Sequence, residues 1–174
     1  MGAARRLADR LRHDSRLLVG LLLLTYATAA IPTWILVVVG QPTNAFLVVW
    51  NLVAATYQVV FGIYWAGHAG YWINNLRWLM VGAGLWLSSI LGAFAETYLT
   101  LAREVPGSFT DQSKFTGLDA AYVAITTFTS VGSGALQPIG QLARATVMVE
   151  SALALITVGV GLALLVAGIT ARQR

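Results

Sequence analysis

A short loop rich in hydroxyls and glycines, Thr126-Thr127-Phe128-Thr129-Ser130-Val131-Gly132-Ser133-Gly134, sits between two strongly apolar segments and is closed by Pro138. It restricts the folds open to this chain more than any other stretch. At membrane depth, non-helical backbone is tolerated only where it is buried in protein or lines a water-filled cavity, because lipid offers its polar groups no partner. Along Val131-Gly132-Ser133-Gly134 the glycines alternate with ordinary residues. Glycine takes positive φ at little steric cost. A strand of this pattern can aim successive carbonyls to one side. Several such loops around an axis make stacked rings of oxygens, which replace a cation's hydration shell. One loop cannot enclose an ion, so the chemistry requires a ring of copies.

The surrounding composition places the loop in a membrane. Of 174 residues, 57% are hydrophobic and 10% charged, where a soluble domain carries about 25% charged residues. There is no cysteine, which excludes disulfides and thiolate metal sites. The net charge of +4 comes largely from arginines that flank apolar spans. That is a topology signal and not a nucleic-acid signature. The first apolar run is long and no clean Ala-x-Ala site follows it, so a cleavable signal peptide is not expected.

Four spans are expected, since a helix needs about 20 apolar residues to cross a bilayer core. Residues 1–16 carry Arg5, Arg6, Arg10, Arg12 and Arg16 and read as a basic cytoplasmic anchor. Residues 17–39 form the first span, kinked at Pro32. After the uncharged turn at 40–44, residues 45–66 form the second, in which Asn51, Tyr57 and Gln58 read as packing contacts between helices or as functional groups. The loop at 67–75 carries His68, which has no second ligand nearby, and Arg77 follows it. Residues 79–101 form the third span and 141–170 the last. Between them lies a polar segment at 103–120, with Arg103, Glu104, Asp111, Lys114 and Asp119, and then a short apolar run at 118–128. A helix of that length rises only about 18 Å. It reads as a re-entrant half-helix ending in the glycine loop, with Asp119 at its positive end. With the arginine-rich N-terminus on the cytoplasmic side, four spans return the C-terminus to the same side. The terminal arginines and Arg77 are then inside, and the loop opens outward.

With these residues in place, the loop resembles the pore signature of the tetrameric potassium-channel superfamily, Thr-Val-Gly-Tyr-Gly-Asp. Ser130, Val131, Gly132, Ser133, Gly134 and Ala135 fall on that pattern, and Thr129, Pro138 and Arg144 match types common in the family. The resemblance covers residues 80–170; residues 1–75 carry none. It implies an all-α membrane protein with four transmembrane helices and a re-entrant pore helix and selectivity-filter loop between the last two. The divisions are a cytoplasmic basic segment (1–16), a two-helix peripheral membrane unit (17–76) and a pore domain (77–174). It implies a homotetramer in the cell membrane, in contact with lipid and with no nucleic-acid partner. Monovalent cations, K+ or Na+, would bind at Ser130, Val131, Gly132 and Ser133. Gly134 would supply geometry, and Thr129 would stand at the cavity side. No other cofactor is implied.

The departures from the pattern carry their own expectations. Ser130 keeps the hydroxyl of the family's threonine. Ser133 gives up the aromatic ring that packs behind the filter, and Ala135 removes an acid. Discrimination between potassium and sodium should therefore be weaker, and a non-selective channel is the alternative on the same scaffold. A non-conducting subunit or sensor that keeps the fold is another.

Glu96 and Glu150 are acids within spans, and such groups are functional candidates by default. Glu150 lies close enough in height to Arg144 to pair across helices. It reads either as a structural pair behind the filter or as a proton- or ion-sensing group. Glu96, which could approach the back of the filter, reads as structural. Gly159, Gly161 and Gly168 on the last span read as a gating hinge or as close-packing contacts. No span carries arginine at every third position, so no voltage sensor is expected. Only four residues follow the last span, so neither is a cytosolic ligand-binding domain. No nucleophile has a neighbouring base, and His13 and His68 lie outside the loop, so an enzyme is not expected. A single loop without an internal repeat argues against a transporter.

Overall fold

The computed structural model describes residues 30–39, Val49, Val53 and 76–172. The basic segment at 1–16, the first span before Ala30, the turn at 40–44, the second span apart from Val49 and Val53, the His68 loop and Arg174 lie outside the described residues. What is described is mostly helical, with no β-strand among the described residues. Four helices follow in order: α1 (Ile31–Val39), α2 (Leu76–Glu104), α3 (Gly117–Phe128) and α4 (Gln141–Arg172). A single 3-10 turn, Gln112–Lys114, lies between α2 and α3.

Among the described residues two helices are long and apolar enough to cross a membrane, over Ala83–Glu104 in α2 and Gln141–Ala163 in α4. The whole of α2 is 29 residues, a rise of roughly 43 Å against a hydrocarbon core of about 30 Å. By contrast α3 is 12 residues and rises about 18 Å, too little to cross.

The core forms around α2. Ile90, Phe94, Tyr98 and Leu99 are fully buried on it, and almost every residue from 89 to 102 is shielded. Residues on all sides of a helix are buried only when partners lie on several sides. Here α1, α3 and α4 each cover part of α2. The inward face of α3 is Ala120, Val123, Ala124 and Thr127, spaced as one helical stripe. That of α4 is Ala143, Thr146, Glu150 and Ala154. Phe109 and Phe115, from the connecting segment, close the core at one end. Phe109 meets Tyr98 edge-on at 5.9 Å and Phe115 at 4.7 Å, arrangements that suit the charge distribution of the rings.

The start of α3 is fixed locally. Thr116 caps it: its hydroxyl accepts the Asp119 N–H, and the Asp119 carboxylate accepts the Thr116 N–H at 2.8 Å. This capping box satisfies donors that a helix start leaves open. Asp119 thus serves the helix end by direct hydrogen bonding as well as by charge. On α1, the Trp34 indole N–H donates to the Ser88 carbonyl at 3.0 Å, and the ring lies on Gly92, where a side chain would collide with it.

Candidate functional site

The last turn of α3 feeds directly into the hydroxyl- and glycine-rich loop. Thr129 caps the helix, and its N–H reaches back to Ile125 O at 3.0 Å. The next three amides also turn back. Ser130 N–H donates to Thr127 O at 3.0 Å, and Val131 and Gly132 N–H both donate to Thr126 O, at 2.9 and 3.2 Å. The amides of residues 129–132 are therefore spent on the open carbonyls of the helix end, which would otherwise lack partners. The hydroxyls of Thr126 and Thr129 are spent the same way, on Tyr122 O and Ile125 O, each at 2.8 Å.

This leaves the acceptors over. The carbonyls of Thr129, Ser130, Val131, Gly132 and Gly134 accept no hydrogen bond among the described residues, nor do the hydroxyls of Ser130 and Ser133 make one. The backbone explains the arrangement: φ is 59° at Ser130, 86° at Gly132 and 58° at Gly134. Every second residue is left-handed. The alternation read from the two glycines therefore extends one step earlier, onto a serine. A non-glycine residue there carries strain, and strain of that kind gathers at functional sites. Thr129, Ser130, Val131, Gly132 and Gly134 are exposed in the single chain, Val131 at 77%. Ser133 differs: it is half-buried, and its carbonyl accepts the Leu136 N–H at 3.1 Å.

The far end of the loop is stitched to the segment after α2. Thr110 hydroxyl donates to Ala135 O at 2.5 Å and accepts Gln137 N–H at 3.1 Å. Thr110 N–H donates to Gln137 O at 3.1 Å, and Ile139 and Gly140 N–H share Ser108 O. A side chain at Gly140 would press on the Gly107 carbonyl and the Ser108 backbone. The Gln112 side chain holds that segment in turn. Its oxygen accepts the N–H groups of Gly107 and Ser108, and its nitrogen donates to Ala102 O and Val105 O. One amide thus closes the end of α2. We predict that Gln112→Ala, which leaves four backbone groups without these bonds, costs about 1–3 kcal/mol. It should lower the thermal unfolding midpoint in detergent.

The two acids within the apolar helices are both buried. Glu150 is 0% exposed and accepts the Tyr98 hydroxyl at 2.5 Å through Oε2. Its Oε1 has no hydrogen-bond partner among the described residues. Arg144, the expected partner of Glu150, is exposed and donates instead to Pro138 O at 3.2 Å. The two point from different faces of α4, as their six-residue spacing requires on a helix of 3.6 residues per turn. Glu96 is 2% exposed on α2, and its carbonyl accepts the Thr100 hydroxyl at 2.9 Å. Gly159 and Gly161 are exposed on α4, with nothing among the described residues near the position a side chain would take.

The structure places Thr129, Ser130, Val131, Gly132, Ser133 and Gly134 in one loop at the end of α3 and pairs Glu150 with Tyr98 across α4 and α2. The sequence reading missed Thr110, which ties down the end of the loop, Gln112, which holds the segment beside it, and Tyr98 as the partner of Glu150. Only the capping signal at Thr116 and Asp119 was readable locally. No protein-family model, curated protein or solved structure matches the chain.

Proposed function

We propose that the chain is one subunit of a homotetrameric cation channel, in which residues 129–134 of four copies line a common axis. The observation that carries this reading is the loop itself. Alternate positive φ values at Ser130, Gly132 and Gly134 leave a run of carbonyls free of partners, while the amides are consumed by the helix behind them. Carbonyl oxygens gathered in this way replace ion hydration. In this reading α2, α3 with the loop, and α4 are the outer helix, the re-entrant pore helix with its filter, and the inner helix of a pore domain spanning 77–174. Residues 17–76 supply two peripheral spans, and both termini are cytoplasmic in a multi-pass cell-membrane protein. The protein moves K+ or Na+ down a gradient and performs no covalent chemistry.

Exposed apolar faces support the ring. On α3, Leu118, Tyr122 and Ile125 are exposed and recur along one stripe. On α4, Met148, Leu155 and Leu162 are exposed at seven-residue spacing, the period of a helix-packing seam. In the membrane these stripes meet lipid or neighbouring copies.

A second reading, weak discrimination between potassium and sodium, is favoured by Ser133, whose carbonyl is already engaged by Leu136. The test is the reversal potential of purified protein in liposomes under opposed potassium and sodium gradients. A potential near the potassium equilibrium value supports a potassium channel, and one near zero supports the non-selective reading. Absence of any current points to a non-conducting subunit and rejects both.

A further inference from the structure

The loop is held at its two ends by different parts of the chain. At the inner end, the amides of Ser130, Val131 and Gly132 return to the carbonyls of Thr127 and Thr126 on α3. At the outer end the hold comes from Thr110, in the segment between α2 and α3. Between these anchors the amides of Ser133, Gly134 and Ala135 donate to nothing among the described residues. Gly134 is left-handed there, with φ of 58°. The nearest atom to a Cβ added at Gly134 is the Tyr122 hydroxyl oxygen, at 3.7 Å, an ordinary contact that does not fix the backbone. The middle of the loop therefore takes its course from where its ends are fixed.

The outer anchor is concentrated on one side chain. The peptide that joins Ala135 to Leu136 is pinned at both of its polar atoms. Leu136 N–H donates to Ser133 O at 3.1 Å, and Ala135 O accepts the Thr110 hydroxyl at 2.5 Å. The same hydroxyl accepts Gln137 N–H at 3.1 Å. A hydroxyl carries one donor and two acceptor lone pairs, so Thr110 serves both residues at once. Ala135 has no polar side chain with which to hold itself. Thr110 is itself fixed, because its N–H donates to Gln137 O. Its neighbours Gly107 and Ser108 are bound through Gln112 to Ala102 O at the end of α2. The loop is thus strung between α3 on one side and the end of α2 on the other.

We infer that Thr110 is a positioning residue for the outer end of the loop: acting through the Ala135 carbonyl and the Gln137 amide, it sets where the Gly134 carbonyl stands, at the point where an ion enters or leaves the proposed file of oxygens. The consequence for ions rests on the channel reading; the positioning does not. Thr110→Val keeps the branched side chain and the backbone bond to Gln137 O and loses both hydroxyl bonds. Thr110→Ser keeps the hydroxyl and is the conservative variant.

Two measurements separate the parts. The first is amide hydrogen exchange at Leu136 in lipid nanodiscs. This amide bonds to Ser133 and not to Thr110, so its rate reports the setting of the turn and not the mere loss of a partner. Exchange there should be about five- to tenfold faster in Thr110→Val than in the wild type, the scale of one or two hydrogen bonds in reach of water. It should be unchanged in Thr110→Ser. The second is single-channel potassium conductance in bilayers, which should fall several-fold in Thr110→Val and hold in Thr110→Ser. Wild-type exchange at Leu136 in Thr110→Val overturns the inference, as does a Thr110→Ser variant as perturbed as Thr110→Val. Should Thr110→Val fail to fold, Thr110→Ala decides in its place, since it removes the hydroxyl and adds no apolar surface. A wild type that passes no ions but shows the exchange pattern sinks the channel reading and leaves the positioning role standing. Altered exchange with unaltered conductance overturns the link to ion passage.

Discussion

Replacing Gly132 by alanine will abolish ion flux while leaving the protein folded and inserted. Gly132 has φ of 86°, a region where an L side chain costs about 1–2 kcal/mol. Nothing among the described residues lies within 4 Å of an added Cβ, so the penalty comes from the backbone and not from crowding. In one chain it is modest. In a ring of four it recurs in every copy, about 4–8 kcal/mol for the assembled site. At about 1.4 kcal/mol per factor of ten, the proposed ring loses several hundredfold or more in population. Flux in liposomes should fall accordingly. Hydrogen exchange in α2 and α4 should not change, because the loop can relax in another conformation without disturbing the core. Ser130→Gly is the matched control. Ser130 already occupies a positive φ of 59°, so glycine there relieves strain and should leave flux intact. Equal flux in wild type and Gly132→Ala would mean that the loop's conformation has no part in the activity.

Gly117→Ala is expected to destabilise the protein, although alanine is the better helix former. Gly117 is the first residue of α3. A Cβ there would overlap the carbonyl oxygen of Val37 and stand 2.8 Å from its carbonyl carbon. Both obstacles are backbone, and neither can rotate away. Either α1 or the start of α3 must move, and overpacking of this sort costs about 1–3 kcal/mol. Without the contact, the same change would stabilise the helix by up to about 1 kcal/mol. The sign therefore decides whether the first apolar segment lies against α3. The thermal unfolding midpoint in detergent reads it: a fall places Val37 on Gly117, and a rise removes it. Because α3 carries the loop, a displaced helix start should also reduce flux.

These two glycines show how much the sequence exposes. Gly132 was legible because its demand is local. Alternation with Val131 and Ser133 is visible in six letters, and the conformation glycine permits follows from its missing side chain. The length of α3, its acidic first turn and the two long apolar helices were legible for the same reason. Gly117 was not, since its requirement comes from Val37 on a distant helix. Glu150 shows the same limit. The sequence marked it as a buried acid in an apolar helix, a costly placement, but suggested Arg144 as its partner because that residue was near in sequence. The actual partner, Tyr98, is 52 residues away. Gln112 gave no sign of its role: one amide side chain satisfies four backbone groups, and nothing in its neighbours differs from an ordinary polar turn. Period and composition report which face is buried. They do not report which polar group waits on the other side.

A density map of the full chain in lipid nanodiscs, recorded in potassium, tests the account most directly. The account predicts four copies about one axis, with the Ser130, Val131 and Gly132 carbonyls turned inward and ion density between them. A monomer, or an assembly in which those three residues face lipid, would contradict it.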